Sequence, residues 1–255
     1  MFRTPSTNGN NKPMKEIFLS NHLKNKEDEQ AQWAKYNFLF GVICLLAGGI
    51  LSTVNAAFFV FGIIGTIVFF ISGAAQAKKS HITKQGVIGE EILKKQLRSI
   101  LPDEYTAIYN IPVNGEDIDC FVMGPPGVYA FEVKHYNGAI SYTERGWSRT
   151  KTGQGGTDYK GHISNPSGQL GWYIGQLRGE LEKKNIRCWI NGYVVFTHPE
   201  AALSITADMK KIKAITINEL ATVFQNNGTV LSTGKKEMIE NAIVQFSNTS
   251  AKEDY

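Results

Sequence analysis

Two apolar segments near the start of the chain restrict what it can fold into more than any other feature. No charged residue occurs between Phe38 and Val54 or between Ala56 and Ala77. Each segment is close to the roughly 17–25 residues that a helix needs to cross a lipid bilayer. The alternative is a helical hairpin buried in a soluble core. Length and lack of charge favour a transmembrane helical hairpin over residues 36–78.

The residues around these segments predict how the hairpin is oriented. The two helices are separated only by the short break Ser52–Asn55, which predicts a tight turn, and glycines in both helices would let them pack closely. Lys35 precedes the first helix, and Lys78 and Lys79 follow the second. Because basic residues concentrate on the cytoplasmic side of membrane proteins, we expect a multi-pass anchor in the cell (inner) membrane with both termini in the cytoplasm.

The segment before the hairpin, residues 1–35, is polar and lacks the apolar core of a signal peptide. We expect it to be cytoplasmic, with disorder from Thr4 to Pro13 and a short amphipathic helix after that. The net charge of +4 is only mildly basic, which is compatible with nucleic acid binding without requiring it. The three cysteines and five histidines form no ligand pattern, which argues against a disulfide framework and a structural zinc site.

After the hairpin the chain has the pattern of a soluble α/β domain, which we assign to residues 83–225, followed by a C-terminal helix and polar tail over residues 226–255. The domain's predicted elements follow the order α-β-β-β-α-β: Gly86–Leu101, Tyr105–Val113, Ile118–Met123, Val128–Lys134, Pro166–Lys184 and Ile190–Thr197. A further strand is predicted at Ala214–Ile217, with helices at Asn218–Gln225 and Lys235–Phe246. The glycine-rich stretch Asn137–Gly161 is expected to form a short hairpin and then a mobile loop.

Charged residues stand at the ends of two predicted apolar strands. Side chains two residues apart in a strand share a face, so Glu132 and Lys134 project together. A hairpin through the turn Pro125–Gly127 brings Asp119 close to them. Such a pattern also occurs on solvated strand faces. Here, however, the strand before Glu132 is apolar on both faces, and charges at the end of a buried strand usually need a partner or a metal.

A further carboxylate lies on the apolar side of the first domain helix. Projection at about 100° per residue puts Glu90 beside Leu97, whereas Glu91 faces solvent. A carboxylate on a buried helix face needs a partner, and a metal or Lys134 would serve. The alternative is that Glu90 complements the dipole at the N-terminus of its helix.

These motifs, in this order, resemble the nuclease-related domain (NERD) family of the restriction-endonuclease-like PD-(D/E)xK superfamily. The resemblance rests on Gly89-Glu90, Asp119, Gly127–Lys134 with Gly138 soon after, and Asn165-Pro166-x-x-Gln169. It covers roughly Lys84 to Leu220. It implies an α/β fold with a restriction-endonuclease-like core, in which helices flank a mixed central sheet, preceded by the two transmembrane helices.

The resemblance also implies the roles of individual residues. Asp119, Glu132 and the carbonyl of Val133 would hold Mg²⁺ or Mn²⁺, since hard cations prefer oxygen ligands. Lys134 would orient or deprotonate a water molecule, or stabilise the pentavalent phosphorus. Glu90 would be a further ligand, and Gln169 would fix water or substrate. The alternative for Gln169 is an ordinary residue at the start of a helix.

Basic and aromatic residues in the stretch after Lys134 could contact nucleic acid. Arg145, Arg149 and Lys151 could follow a phosphate backbone, and Trp147 could stack on a base. A solvated loop would have the same composition. Two functional hypotheses follow. One is a membrane-anchored, Mg²⁺-dependent nuclease that hydrolyses DNA at the cytoplasmic face. The other is a non-catalytic, membrane-anchored module that binds nucleic acid or protein and retains the nuclease fold.

Overall fold

A computed structural model describes residues 13–20, 22–153, 155–161, 163–225 and 231–253. It divides the chain into two compact units. One consists of Asn21–Ile88, and the other combines Met1–Ser20 with Gly89–Tyr255. The predicted disorder from Thr4 lies outside the described residues, except for Pro13, which forms an isolated bridge with Pro102.

The unit Asn21–Ile88 is a helical hairpin. Helix α1 spans His22–Leu51, and helix α2 begins at Ala57 and ends at Ile100, beyond this unit. Glycines permit close packing of α1 and α2, because a Cβ atom on Gly48 would lie only 2.6 Å from the Cα atom of Gly62. The sequence predicted a separate domain helix starting at Gly86. The helix continues instead, because the polar residues after Ala77 are still good helix formers.

Both helices are long and apolar enough to cross a membrane, by length and composition. In the most apolar stretch of each helix, only 17% (α1) and 11% (α2) is buried within the described residues. Large side chains such as Leu46, Ile50 and Ile71 are exposed. A soluble core hairpin would bury these residues, so the structure does not favour that alternative.

The described residues of the other unit contain ten strands and three further α-helices. The strands are β1 (Lys15–Phe18), β2 (Thr106–Val113), β3 (Glu116–Gly124), β4 (Gly127–Lys134), β5 (Gly138–Thr143), β6 (Gly146–Thr152), β7 (Asp158–Gly161), β8 (Ile190–Phe196), β9 (Ala201–Ile205) and β10 (Ile212–Thr216). The helices are α3 (Pro166–Lys183), α4 (Leu220–Val223), which follows a 3₁₀ turn at Ile217–Glu219, and α5 (Thr233–Glu253). Helix α5 runs beyond Phe246, where a polar tail was expected to begin, and the buried side chain of Ser247 lies within it.

The main sheet has the strand order β1-β2-β3-β4-β8-β10. Strands β2, β3 and β4 pair antiparallel, whereas β1, β8 and β10 join by parallel pairing. The mixed α/β architecture predicted from the sequence is confirmed. The short amphipathic helix expected after Pro13 is wrong at Lys15–Phe18, which form strand β1, and the helical residues from His22 onward belong to α1. Four residues give too short a pattern to identify a strand that pairs only with a distant segment.

A second sheet, in the order β7-β6-β5-β9, is formed mainly by the glycine-rich stretch after β4. The predicted hairpin is present as the antiparallel pair β5–β6. The expected mobile loop is partly wrong, since β7 pairs with β6 over Asp158–Gly161. Strand β9 pairs in parallel with β5 and so joins a segment after β8 to this sheet.

The main sheet carries an apolar core on each face. Val128 and Ala130 of β4 belong to the core that contains residues of α3 and α5. Tyr129 and Phe131 belong to the opposite core, which contains Leu93 of α2 and residues of α4. Strand β4 is therefore central and buried on both sides, as its sequence predicted, and Glu132 follows directly on this apolar run.

Candidate active site

Asp119 and Glu132 are neighbours across the β3–β4 hairpin. The tight turn after Gly124 sets the pairing register, in which Cys120 lies opposite Phe131. The next position along the ladder therefore aligns Asp119 with Glu132. The Val133 backbone N–H donates a hydrogen bond to Asp119 Oδ2 at 2.6 Å. The sequence prediction that this hairpin brings the two carboxylates together agrees with the structure.

Glu132 and Lys134 form an ion pair on the same strand face. The distance between Lys134 Nζ and Glu132 Oε1 is 2.5 Å. Glu132 is only 2% exposed, and its other oxygen, Oε2, is buried without a hydrogen-bond partner among the described residues. Leaving a buried carboxylate oxygen unpaired is costly. This oxygen is therefore available to a cation, which makes it the best-supported ligand atom of the site.

Burial changes the protonation of these groups. It raises the pKa of Asp119 well above its usual range, and the adjacent Glu132 raises it further. Burial also raises the pKa of Glu132, against the opposing effect of Lys134. For Lys134, burial lowers the pKa, but Glu132 and Asp119 outweigh it, so that the net shift is upward. Lys134 is thus held as a cation, which suits orienting a water molecule or stabilising negative charge better than accepting a proton.

Glu90 lies on the buried face of α2 and Glu91 on the exposed face, as the helix projection predicted. Asn110 Nδ2 donates a hydrogen bond to Glu90 Oε2 at 3.2 Å, and Lys94 Nζ lies 3.5 Å from the same oxygen, so these two residues and not Lys134 are its polar partners in the described structure. The alternative that Glu90 complements a helix N-terminus is wrong, because α2 begins at Ala57. Burial is the main cause of the raised pKa of Glu90. The charge of Glu90 also acts on Asp119, which places the two carboxylates in one electrostatic environment.

Asn110 is a site residue that sequence reasoning missed. It is buried in β2 opposite Asp119, and its backbone has a φ of +56°, in the left-handed region. Ile111 packs in the core next to α3, whereas Tyr109, two residues earlier, packs in the opposite core. Residues two apart in a regular strand face the same side of the sheet, so the strand must change its facing at Asn110. This change turns the Asn110 amide toward Glu90. Asn tolerates this conformation better than most residues do, and that preference was the only available signal.

Gly89 lets α2 come close to the ends of β4 and β8. A Cβ atom at this position would lie 3.0 Å from His135 Cβ and 3.0 Å from Thr197 Oγ1. His135 Nδ1 is 3.0 Å from the same Thr197 hydroxyl, and its ring centroid lies 4.9 Å from that of His198. Burial lowers the pKa of His135, and His198 lowers it further. His135 thus borders the candidate site as a neutral side chain.

Gln169 is held in the first turn of α3. The side chain of Asn165 caps this helix by accepting a hydrogen bond from the N–H of Gly168 at 3.0 Å. Gln169 Nε2 lies 3.0 Å from the Tyr173 hydroxyl and 3.3 Å from Glu116 Oε2. The Tyr173 hydroxyl also donates to Glu116. The structure therefore joins Gln169 to Glu116 and Tyr173, two residues that the sequence did not single out.

Arg149 and Trp147 of β6, two of the predicted nucleic acid contacts, make internal contacts. Arg149 is buried, donates through Nε to the Asn137 carbonyl at 2.8 Å and stacks on the Tyr136 ring. Trp147 Nε1 donates to Ser167 Oγ at 3.0 Å. Both side chains thus help to hold the second sheet against its neighbours.

The other two predicted contacts remain accessible. Arg145 is exposed in the β5–β6 turn, and Lys151 is half-buried on β6. Burial lowers the pKa of Lys151, with a further contribution from Arg149. Of the four predicted contacts, Arg145 and Lys151 have side chains best placed to meet a phosphate without rearrangement.

The donor set fits a divalent cation only in part. Among the residues that the structure describes, no group of three or more His, Cys, Asp or Glu side chains could hold a metal ion. Two carboxylates, Asp119 and Glu132, are adjacent, and the unpaired oxygen of Glu132 is the kind of ligand that Mg²⁺ prefers. Mg²⁺ commonly uses one or two carboxylates and keeps several waters, so this small set is compatible with it.

Comparison with known proteins gave one match. Residues 85–197 match the family described as Nuclease-related domain, NERD. The matched range contains Asp119, Glu132 and Lys134. No match was found among curated proteins or among solved structures.

Proposed function

Because residues 85–197 match the nuclease-related domain family, we propose that this protein is a membrane-anchored, Mg²⁺-dependent nuclease that hydrolyses phosphodiester bonds of DNA at the cytoplasmic face. The observation that supports this most is the buried Oε2 atom of Glu132, which has no hydrogen-bond partner in the described part of the chain, beside the Glu132–Lys134 ion pair. A buried carboxylate in this state has an evident use as a metal ligand and little value for stability.

In this proposal the acidic and the basic side chains of the site have different roles. Asp119 and Glu132 bind the cation, Mg²⁺ or Mn²⁺, with the Val133 carbonyl as a third donor. When bound, the ion supplies Lewis acidity toward the phosphodiester and lowers the pKa of a bound water. Lys134 remains protonated, orients the attacking water and stabilises the negative charge that develops on the phosphoryl oxygens. Glu90 acts on the same site as a further ligand, directly or through water.

The second sheet has two groups that suit a phosphate backbone. Arg145 and Lys151 project from the second sheet, which follows directly on β4. Contacts of this kind bind any sequence and weaken with salt. In this proposal they hold the DNA strand, while Gln169, held by Glu116 and Tyr173, positions water or substrate.

The helical hairpin is the proposed anchor. Both helices are sufficiently long and apolar, and the basic residues Lys35, Lys78 and Lys79 flank their apolar parts. The positive-inside tendency then puts both termini in the cytoplasm. A reporter enzyme that works only in the cytoplasm should be active when fused at Met1 and when fused at Tyr255. Activity of only one fusion would contradict this topology.

A binding module without catalytic activity is the second candidate. Two observations favour it. The described residues contain no group of three or more side chains that could hold a metal ion. In addition, Lys134 neutralises part of the negative charge of Glu132 that would attract a metal. In that case the domain would still bind nucleic acid or protein at the membrane, since a fold can persist with altered chemistry.

A cleavage assay separates the two candidates. The full-length protein in detergent would be incubated with plasmid DNA, single-stranded DNA and RNA, each with Mg²⁺ or with EDTA. The nuclease proposal expects cleavage of DNA with Mg²⁺, none with EDTA, and none from the Glu132→Gln variant. Glu91→Gln, which changes an exposed carboxylate on α2, is the matched control and should cleave normally. Binding without cleavage in every condition would favour the second candidate.

A further inference from the structure

A second concave site lies at the far end of the sheet from the carboxylates. It is a cleft of about 620 Å³ between the turn at Pro126–Val128, the second half of α3 and the start of α5. Val128 and Glu132 are four residues apart on β4, a separation of roughly 13 Å along the strand. The cleft is therefore distinct from the candidate active site, and the proposed nuclease function does not use it.

One wall of this cleft is an exposed aromatic ring held in a fixed position. Trp189 is 59% exposed, yet its Nε1 atom donates a hydrogen bond to Asn191 Oδ1 at 3.1 Å. The Asn191 amide in turn donates to the Val128 carbonyl at 3.2 Å. A chain of two hydrogen bonds thus fixes an apolar ring that faces solvent. A flat partner can stack on such a ring without first having to order it.

The charged residues of the lining are mainly positive. Arg178, Arg187 and Lys235 line the cleft together with one carboxylate, that of Glu182. Arg178 Nη2 lies 3.6 Å from Glu182 Oε1, and its guanidinium carbon lies 5.9 Å from the centre of the Trp189 ring. The Nε atom of Arg178 is buried and has no hydrogen-bond partner in the described part of the chain. Three cations against one anion leave a net positive charge for an anionic ligand.

We propose that this cleft binds a nucleotide unit, a planar base joined to a phosphate. The base stacks on Trp189, and the phosphate lies against Arg178, Arg187 and Lys235. The pairing of a fixed aromatic face with several cations matches the two parts of this ligand, whereas inorganic phosphate uses only the cations and an apolar molecule only the ring. The unit is either a free nucleoside monophosphate or the phosphorylated end of a nucleic acid strand, which present the same chemistry.

Calorimetric titration of the full-length protein in detergent tests this site. Adenosine 5′-monophosphate would be titrated in the presence of EDTA into wild type, Trp189→Leu and Arg178→Gln. Each substitution should weaken binding about tenfold or more. Two substitutions of exposed residues on α3 are the matched controls. Trp172→Leu changes a tryptophan and Lys183→Gln a lysine, and both variants should bind as wild type does.

Two further binding measurements show where the ligand binds and whether it is a free nucleotide or a strand end. The Glu132→Gln variant should keep its affinity for the monophosphate, because the cleft is separate from the carboxylates. If it loses that affinity, the nucleotide binds at the other site and the proposal fails. A 5′-phosphorylated single-stranded oligonucleotide that binds more tightly than the monophosphate, with the same dependence on Trp189, identifies a strand end. Tighter binding of the free monophosphate identifies a soluble nucleotide.

The proposal is overturned if millimolar monophosphate does not bind wild type, or if Trp189→Leu and Arg178→Gln bind it as wild type does. Thermal unfolding of each variant shows whether it is folded. Both side chains lie at the surface of the cleft, so we expect melting temperatures close to that of wild type. The cleavage assay with Glu132→Gln is independent of these results, so the cleft and the nuclease proposal can fail separately.

Discussion

Asn110 Nδ2 lies 3.2 Å from Glu90 Oε2 and joins a buried strand to the buried face of α2. Asn110 holds a left-handed backbone conformation directly opposite Asp119 in the β2–β3 register. A left-handed backbone at a residue other than glycine is uncommon, and such residues cluster at functional sites. The contact therefore links three separate elements, β2, β3 and α2, at the point where their polar side chains converge.

The position of Glu90 leads to a paired prediction. Glu90→Gln removes a buried charge that acts on Asp119, whereas Glu91→Gln changes a side chain that is 60% exposed. We expect Glu90→Gln to reduce Mg²⁺ affinity and cleavage together, and Glu91→Gln to be almost silent. Calorimetry and a cleavage assay measure the two effects. Equal effects of the two substitutions, or the reverse order, would remove Glu90 from the site.

Gly89 provides a test of packing next to the site. The Gly89→Ala substitution inserts a methyl group 3.0 Å from His135 Cβ and from Thr197 Oγ1. Thr197 is buried and its hydroxyl lies 3.0 Å from His135 Nδ1, so neither atom can move away freely. Overpacking of this kind costs about 1–3 kcal/mol, which exceeds the gain of roughly 1 kcal/mol in helix propensity. We expect a lower melting temperature.

The matched control for Gly89→Ala is Gly175→Ala. A Cβ atom on Gly175 of α3 would meet nothing within 4 Å, so only the gain in helix propensity remains. Its melting temperature should equal or exceed that of wild type. If Gly89→Ala is as stable as Gly175→Ala, the close approach of α2 to β4 and β8 is wrong.

The raised pKa of Asp119 predicts a dependence of stability on pH. Its pKa in the folded protein lies above its ordinary value, so the folded state binds more protons and loses stability as pH rises through the folded pKa. Asp119→Asn removes this charge and can keep an acceptor for the Val133 N–H. In EDTA at pH 7 it should therefore melt a few degrees above wild type, and in a separate assay with Mg²⁺ it should not cleave DNA.

The advantage of Asp119→Asn should shrink as the pH is lowered, because wild-type Asp119 then becomes protonated as well. Thermal unfolding in EDTA across the acid range measures this trend. A melting temperature below that of wild type at pH 7 would show that the Asp119 charge stabilises the fold, in conflict with a carboxylate kept for binding a metal.

Local patterns were enough to predict the centre of the domain. Strand β4 is apolar on both faces until Glu132, and the turn after Gly124 sets the register that aligns Asp119 with it. The helical period likewise predicted that Glu90 lies on the buried face of its helix and Glu91 on the exposed face. These predictions succeeded because each depends on residues that are close in sequence or joined by a tight turn.

Features that depend on distant contacts could not be predicted. Glu116 meets Tyr173 only because β3 and α3 pack together, and strand β1 exists only through its pairing with β2. The composition of β6 indicated a basic, aromatic surface, but Arg149 and Trp147 use their polar atoms within the fold. The side-chain types in a sequence do not reveal which of them are already satisfied by neighbours.

The central claim is that Asp119, Glu132 and Lys134 act as one catalytic unit. Lys134→Ala should leave Mg²⁺ binding intact or strengthen it, because a nearby positive charge is removed, yet slow DNA cleavage by roughly 100-fold or more. Adding Asp119→Asn should cost little more than the worse single substitution, since residues that act together are not additive. Lys95→Ala, at an exposed position of α2, is the control.

The most direct test measures DNA cleavage and Mg²⁺ affinity side by side for wild type, Lys134→Ala and Lys95→Ala, each as the full-length protein in detergent. Our account predicts Mg²⁺-dependent cleavage by wild type and by Lys95→Ala, and bound Mg²⁺ without cleavage for Lys134→Ala. Cleavage by Lys134→Ala at the wild-type rate, or no Mg²⁺-dependent cleavage by wild type, would contradict it.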